Sequence, residues 1–138
     1  MDTRSLNAFL LSAFPGADPT NFGMVTELEP RRLVLTRNCG EAHTRPGGAV
    51  SGPTLMGIAD HAVYAMVLAH IGEVPMAVTT SLTMHFLRPA RPGDLKAEAR
   101  LLRLGRRIAT ADVLIHGGDI GAPYAQSTVA YAIPDGVA

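Results

Sequence analysis

One stretch constrains this chain more than any other. Gly47 to Ile71, GGAVSGPTLMGIADHAVYAMVLAHI, holds a single carboxylate, Asp60, and no lysine or arginine. It is too long for a strand and too evenly apolar for a helix with one face in water, so it predicts a helix enclosed by protein on most sides. Ser51 is a suitable N-cap, Pro53 fits the first turn, and Gly72 can end the helix, which places the central helix at 53–71. Asp60, His61 and His70 interrupt the run, and a membrane span of about 20 apolar residues does not normally tolerate that. An unpaired buried charge is very costly. Asp60 is therefore either a structurally satisfied carboxylate or one with chemistry to do, and burial alone leaves both readings open.

The segments around this helix set the fold class. Residues 1–16 form an N-terminal helix, with Ser5 to Phe14 its amphipathic part and Pro15-Gly16 its end. Gly16–Phe22 is rich in turn formers. Gly23–Leu28 and Arg32–Arg37 read as strands, and Cys39–Gly48 as a loop. A period-two pattern begins at Met76, with Thr79, Ser81, Thr83 and His85 alternating imperfectly with apolar residues. Leu95–Leu104, Arg107–His116 and Pro123–Ile133 follow as three further strands. Strands flanking one long apolar helix indicate an α+β fold, a curved antiparallel sheet wrapped around the helix, in one domain over 1–138.

Composition excludes several functions. Twelve basic residues balance twelve acidic ones, so the basic excess of a nucleic-acid binder is missing. Cys39 is the only cysteine, which rules out an intrachain disulfide and fits a reducing compartment. The N-terminus lacks the basic flank and cleavage site of a signal peptide. We expect a cytoplasmic protein with no membrane contact. No metal is expected: the histidines show no metal-binding spacing and Cys39 has no partner. His61 adjoins Asp60 and so faces another side of the helix, His70 suits the helix C-terminus, His85 and His116 lie on separate strands, and His43 lies in the loop. Neither a Gly-x-Ser-x-Gly elbow nor a phosphate-binding loop occurs.

What remains is the helix itself. Its N-terminus offers unsatisfied N–H groups and a favourable dipole, a natural site for a carbonyl or oxyanion beside Gly52, although Ser51-Gly52-Pro53 also reads simply as a cap. Asp60 shares a face with Met56, Gly57, Val63 and Tyr64. Gly57 costs roughly 1 kcal/mol inside a helix and opens space beside the carboxylate. Tyr64, one turn on, is placed to bond Asp60 or a ligand. Met56, Val63, Met66, Val67 and Phe86 are candidates for an apolar pocket wall. Of the eleven arginines, Arg103, Arg106 and Arg107 cluster at the Gly105 turn.

Gly48-Ala-Val-Ser51-Gly52-Pro53 followed by Ala59-Asp60, then Phe86-Leu-Arg-Pro89, Gly93-Asp-Leu95, Leu104-Gly-Arg-Arg107 and Ala125-Gln-Ser-Thr-Val129, resembles the hotdog-fold acyl-CoA thioesterases, PaaI-like branch, over most of the chain. The resemblance implies a homodimer with a continuous sheet, often a dimer of dimers, and active sites at the subunit interface. It implies Asp60 as catalytic base or nucleophile and the Gly52 N–H as the group polarising the thioester carbonyl. It implies coenzyme A as part of the substrate, with no separate cofactor, and makes Arg106 and Arg107 candidates for its phosphates. Two positions depart from the family: Ser51 stands where His is common, and Arg45 where Asn or Gln is common. Arg45 is suited to a carbonyl, an activated water or an acidic acyl group. Thr79, Thr80, Ser81 and Tyr64 are candidates to orient water or acyl chain. The competing expectations are a non-catalytic acyl-CoA or acyl-carrier binding protein, a hydratase or dehydratase on the same fold, and a purely structural oligomer.

Overall fold

Small residues on the inner face of the sheet decide how closely it can approach the helix. Ala97 and Ala99, Ala109 and Ala111, and Ala125 are all fully buried. With little side chain between them and the helix, the sheet can fold against it. The computed structural model describes residues 1–135, with only the backbone of Pro19 and Thr20. The last three positions of the expected domain lie outside the described residues.

The elements run α1 (Thr3–Ala13), α2 (Pro19–Phe22), β1 (Met24–Glu29), β2 (Arg32–Cys39), a short 3-10 turn (Glu41–His43), α3 (Gly52–Ile71), β3 (Val78–Phe86), β4 (Gly93–Leu104), β5 (Ile108–His116) and β6 (Ala125–Ala132). The strands form one six-stranded antiparallel sheet ordered β1-β2-β4-β5-β6-β3. This is the expected hotdog arrangement, with α3 packed across the sheet. Register shifts at Val25/Glu27, Thr79/Ser81 and Leu101/Arg103 mark bulges. Bulges bend strands and raise their twist, which supplies the curvature.

The central helix starts one residue before the expected boundary. Ser51 caps it, its hydroxyl accepting from the Thr54 N–H, and Gly72 at φ 94° closes it with an N–H donated to the Leu68 carbonyl. Every residue from His61 to Leu68 is buried, so the apolar composition reflects a core helix. The N-terminal helix is shorter than 1–16, because Pro15 and Gly16 cannot continue it; Asp2 caps it by accepting from the Ser5 N–H. The turn-rich segment contains the short α2. Asn7 ties α1 to β1 through two bonds with the Val25 backbone, at 2.9 and 2.8 Å. That covers one edge of the sheet. At the other edge, β3 pairs only with β6 among the described residues.

Candidate active site

Asp60 lies eight residues beyond Gly52, about 12 Å along the helix axis. Its Oδ1 accepts from the Thr79 hydroxyl at 2.7 Å and from the Tyr131 hydroxyl at 2.6 Å. The Tyr131 hydroxyl also lies 3.1 Å from the Asp60 carbonyl oxygen. Oδ2 receives no hydrogen bond, and Asp60 has no ion-pair partner, among the described residues. The carboxylate is thus held by one oxygen with the other unengaged.

Thr79 and Tyr131 are cross-strand partners on β3 and β6. Tyr131 follows Ser127 and Val129 on the inner face, all buried. Thr79 reaches that face only because of the bulge between Thr79 and Ser81. Below the bulge, Leu82 and Met84 turn inward while Ser81, Thr83 and His85 point out. The simple alternation that groups Thr79 with Ser81 and Thr83 is therefore overturned: one inserted residue moves Thr79 to the opposite face. Thr80, the inserted residue, is exposed and donates to the Ala130 carbonyl. Neither it nor Ser81 reaches Asp60.

Asp60 lines a cavity of about 350 Å³ whose wall includes Gly57, His61, Tyr64, Thr79 and Tyr131. Nothing lies within 4 Å of where a Gly57 side chain would begin, so this glycine does open space beside the carboxylate. Tyr64 lines the cavity, but its hydroxyl donates to the Pro75 carbonyl at 3.0 Å and not to Asp60. The loop after α3 claims it first. Val63, Met66 and Val67 are fully buried core residues, and Met56 is exposed, so none of them forms this wall.

Rings take their place. Phe22 stacks on His61 at 5.0 Å, Phe14 meets His61 edge-on at 5.7 Å and Tyr64 at 5.5 Å, and Tyr64 approaches Tyr131 at 5.9 Å. His61, expected to face elsewhere, is part of the same enclosure. Burial pushes its pKa down to about 4 against the opposing pull of Asp60, so the ring is neutral at ordinary pH. Burial, and then the bond to Asp60, raise the Tyr131 phenol well above its usual range. It remains a protonated donor through the ordinary pH range.

The helix entrance is a separate place. Gly52, Arg45, Val50, Leu55, Phe86 and Arg88 are among the residues lining a second cavity of about 320 Å³. As the first helical residue, Gly52 has no acceptor one turn back. A side chain at Gly52 would begin 3.3 Å from the Phe86 ring. Ser51 is engaged as the cap, 2.7 Å from the Thr54 hydroxyl. Arg45 is exposed at the rim, its N–H donated to the Ala49 carbonyl. His43 holds the approach by accepting from the Ser51 N–H through its carbonyl and from the Gly40 N–H through its ring.

Arg106 and Arg107 lie in the turn between β4 and β5, at the far end of the sheet from Gly52. Phe86, beside Gly52, pairs with Ala125, which pairs with Ile115; Ile108 starts β5 seven residues away. At about 3.3 Å per residue that is roughly 23 Å. Both arginines are exposed, and Arg107 forms an ion pair with Asp135 at 3.4 Å. No group of three or more potential metal ligands occurs among the described residues.

The sequence reading missed Tyr131, Phe14, Phe22 and the part played by His61. Only Tyr131 carried a signal, its strand parity with Ser127 and Val129. The aromatic contacts of the N-terminal segment are tertiary and leave no trace in spacing.

Comparison with known proteins places these features. The thioesterase superfamily model matches residues 47–123. A Silicibacter sp. TM1040 structure, described provisionally as a thioesterase, is 41% identical, covers 97% of this chain and 92% of its own, and superposes with a TM-score of 0.87. PaaI, a phenylacetic acid degradation protein from Thermus thermophilus, is 27% identical over 82% of this chain and 95% of its own, with a TM-score of 0.71. A Pseudomonas aeruginosa protein provisionally named an esterase is 36% identical over 91 residues, 64% of this chain and 67% of that one. The matched segment runs through the helix and strands that carry Gly52, Asp60 and Thr79, and on that basis the chain belongs to the thioesterase superfamily, with PaaI among its structural neighbours.

Proposed function

We propose that the protein hydrolyses acyl-CoA thioesters to a free acid and coenzyme A. The observation that carries this reading is the Asp60 carboxylate, fixed through one oxygen by Thr79 and Tyr131 at a cavity wall and unengaged at the other. A carboxylate held this way is placed to take a proton from water, or to attack directly. In the base route, Oδ2 removes the water proton as hydroxide adds to the thioester carbon. The carbonyl oxygen becomes an oxyanion facing the Gly52 N–H and the helix dipole. The C–S bond then breaks, and the thiolate of coenzyme A leaves and takes the proton.

Gly52 and Asp60 of one chain line different cavities about 12 Å apart on one helix, too far for a single thioester group to touch both. A second copy resolves this. The unpaired β3 edge carries exposed apolar side chains, with Val78 58% and Phe86 55% exposed, and such an edge invites strand pairing. Pairing of two β3 strands would make a homodimer in which Gly52 works with Asp60 of the partner subunit; a dimer of dimers extends the same reading. Arg45 at the entrance rim is placed to meet the substrate carbonyl or an activated water. Arg106 and Arg107 would meet coenzyme A phosphates only where the assembly brings that turn to a site.

The test is Asp60→Asn, assayed by thiol release from a panel of acyl-CoA substrates. Loss of turnover with an unchanged melting temperature supports the role. Full turnover in the folded variant would overturn it, and binding of acyl-CoA by the natural protein without thiol release would make it a binding protein.

A further inference from the structure

The cavity beside Asp60 has a wall that the family-matched segment does not supply. Residues 47–123 provide Gly57, Asp60, His61, Tyr64 and Thr79. Phe14 and Phe22 come from the N-terminal segment. They touch each other, with ring centroids 5.2 Å apart, and both pack on His61, so together they close the side of the cavity facing α1 and α2.

This wall is anchored. Phe14 ends α1, which Asn7 fastens to the Val25 backbone. Phe22 is followed by Gly23 at φ 78°, where a side chain would begin 2.6 Å from the Thr36 carbonyl oxygen. Only glycine permits that approach, and it sets Phe22 down beside β2 as part of the cavity wall. The cavity volume, about 350 Å³, lies at the low end of the roughly 300–1,000 Å³ usual for small-molecule sites. Its lining is mostly ring faces and edges, and His61, the one titratable ring able to carry positive charge, is kept neutral by burial.

We propose that Phe14 and Phe22 form the far wall of the acyl pocket and restrict the substrate to compact, uncharged acyl groups, excluding long chains. This rests on the thioesterase reading for the reaction but not for the pocket. A long chain entering beside Asp60 meets the Phe14–Phe22 pair. A short or single-ring acyl group fills the space against Tyr64 and His61. A carboxylated acyl group finds no lysine or arginine among the described residues that line this cavity.

Two measurements test the proposal together. The first is kcat/KM for butyryl-, phenylacetyl-, octanoyl-, dodecanoyl- and succinyl-CoA with the natural protein, Phe22→Ala, Phe14→Ala and Phe22→Leu. The second is the affinity of the same proteins for the matching non-hydrolysable acyl thioethers of coenzyme A. The natural protein is expected to prefer the compact uncharged groups over dodecanoyl by at least about tenfold, the scale of size discrimination in an apolar pocket. Phe22→Ala and Phe14→Ala should raise dodecanoyl turnover and binding by a similar factor, and Phe22→Leu by less. Equal preference across chain lengths, or an unchanged profile in the folded alanine variants, would overturn the proposal. If no thioester is hydrolysed but the thioethers show the size limit and its relief, the pocket assignment stands and the hydrolytic reading falls.

Discussion

The two ends of the proposed chemistry sit on one helix and are built in opposite ways. The entrance at Gly52 is assembled from neighbours: Ser51 caps it, Thr54 answers the cap, and His43 steadies the approach from eight residues back. The carboxylate at Asp60 is assembled from afar. Thr79 lies 19 residues on and Tyr131 lies 71 residues on, and they converge only because β3 pairs with β6. A helix terminus offers its N–H groups whatever the rest of the chain does. A half-buried carboxylate at a cavity wall is fixed by donors that the helix cannot supply to itself.

The sharpest way to break this comparison is to disable each end separately. Asp60→Asn is expected to lower kcat by about 10²–10⁴-fold. Gly52→Pro, which deletes the N–H at the first helical position, is expected to cost about 10²–10³-fold relative to Gly52→Ala, which keeps the N–H and meets the same Phe86 ring. If the two ends act across a two-fold interface, co-refolding the two inactive variants restores one intact site per mixed dimer. Thiol release that fails to recover in verified mixed dimers would overturn the shared site.

The clamp on Asp60 comes next. Tyr131→Phe removes a hydrogen bond to a charged group, worth about 1.5–3 kcal/mol. Its kcat should fall by roughly tenfold or more, on the scale of 1.4 kcal/mol per decade, with little change in KM. Thr79→Val should act in the same direction and Thr79→Ser should retain activity. Equal kcat in Thr79→Val and Thr79→Ser would reduce Thr79 to packing.

Gly57→Ala separates stability from function at the same place. The new methyl meets nothing within 4 Å in the protein. Helix propensity should stabilise the fold by up to about 1 kcal/mol, while the methyl takes space beside Asp60 and lowers turnover. A melting temperature that falls, or turnover that rises, contradicts this.

The last effect is on pH. His61 has a folded pKa pushed down to about 4 from 6.5. The unfolded chain therefore binds the extra proton first, and the contribution of neutral His61 is present above pH 6.5 and lost as pH falls from 6.5 towards 4. His61→Phe keeps a ring against Phe14 and Phe22 and should flatten that part of the stability curve. Urea midpoints measured at pH 7 and pH 5 read the difference.

Much of the fold was legible because it is written in local patterns. The apolar run with its Ser51 cap and Gly72 stop marks α3 to within a residue, and period-two segments mark the strands to within a few. The site was legible in part. Asp60 stood out as one charge in an apolar run, and Gly57 as a glycine where a helix does not want one. Thr79 was named among three neighbours without a way to choose, since alternation puts it on the same face as Ser81. The bulge that separates them depends on pairing with β6, which spacing within β3 cannot reveal. Of the two partners named for Tyr64, Asp60 or a ligand, Asp60 is not the one it bonds, because the loop carbonyl of Pro75 takes its hydroxyl proton.

By itself, then, the sequence determined that one apolar helix would be buried with a carboxylate on it and an open N-terminus before it. Helix period, capping and burial act over a few residues, so these features survive without knowledge of the partners. Only the tertiary structure decided which hydroxyls hold Asp60, and that Phe14 and Phe22 close the cavity beside it. Those contacts join segments that share no local pattern. They exist because the sheet curls over the helix and brings β6 and the N-terminal segment to the same carboxylate.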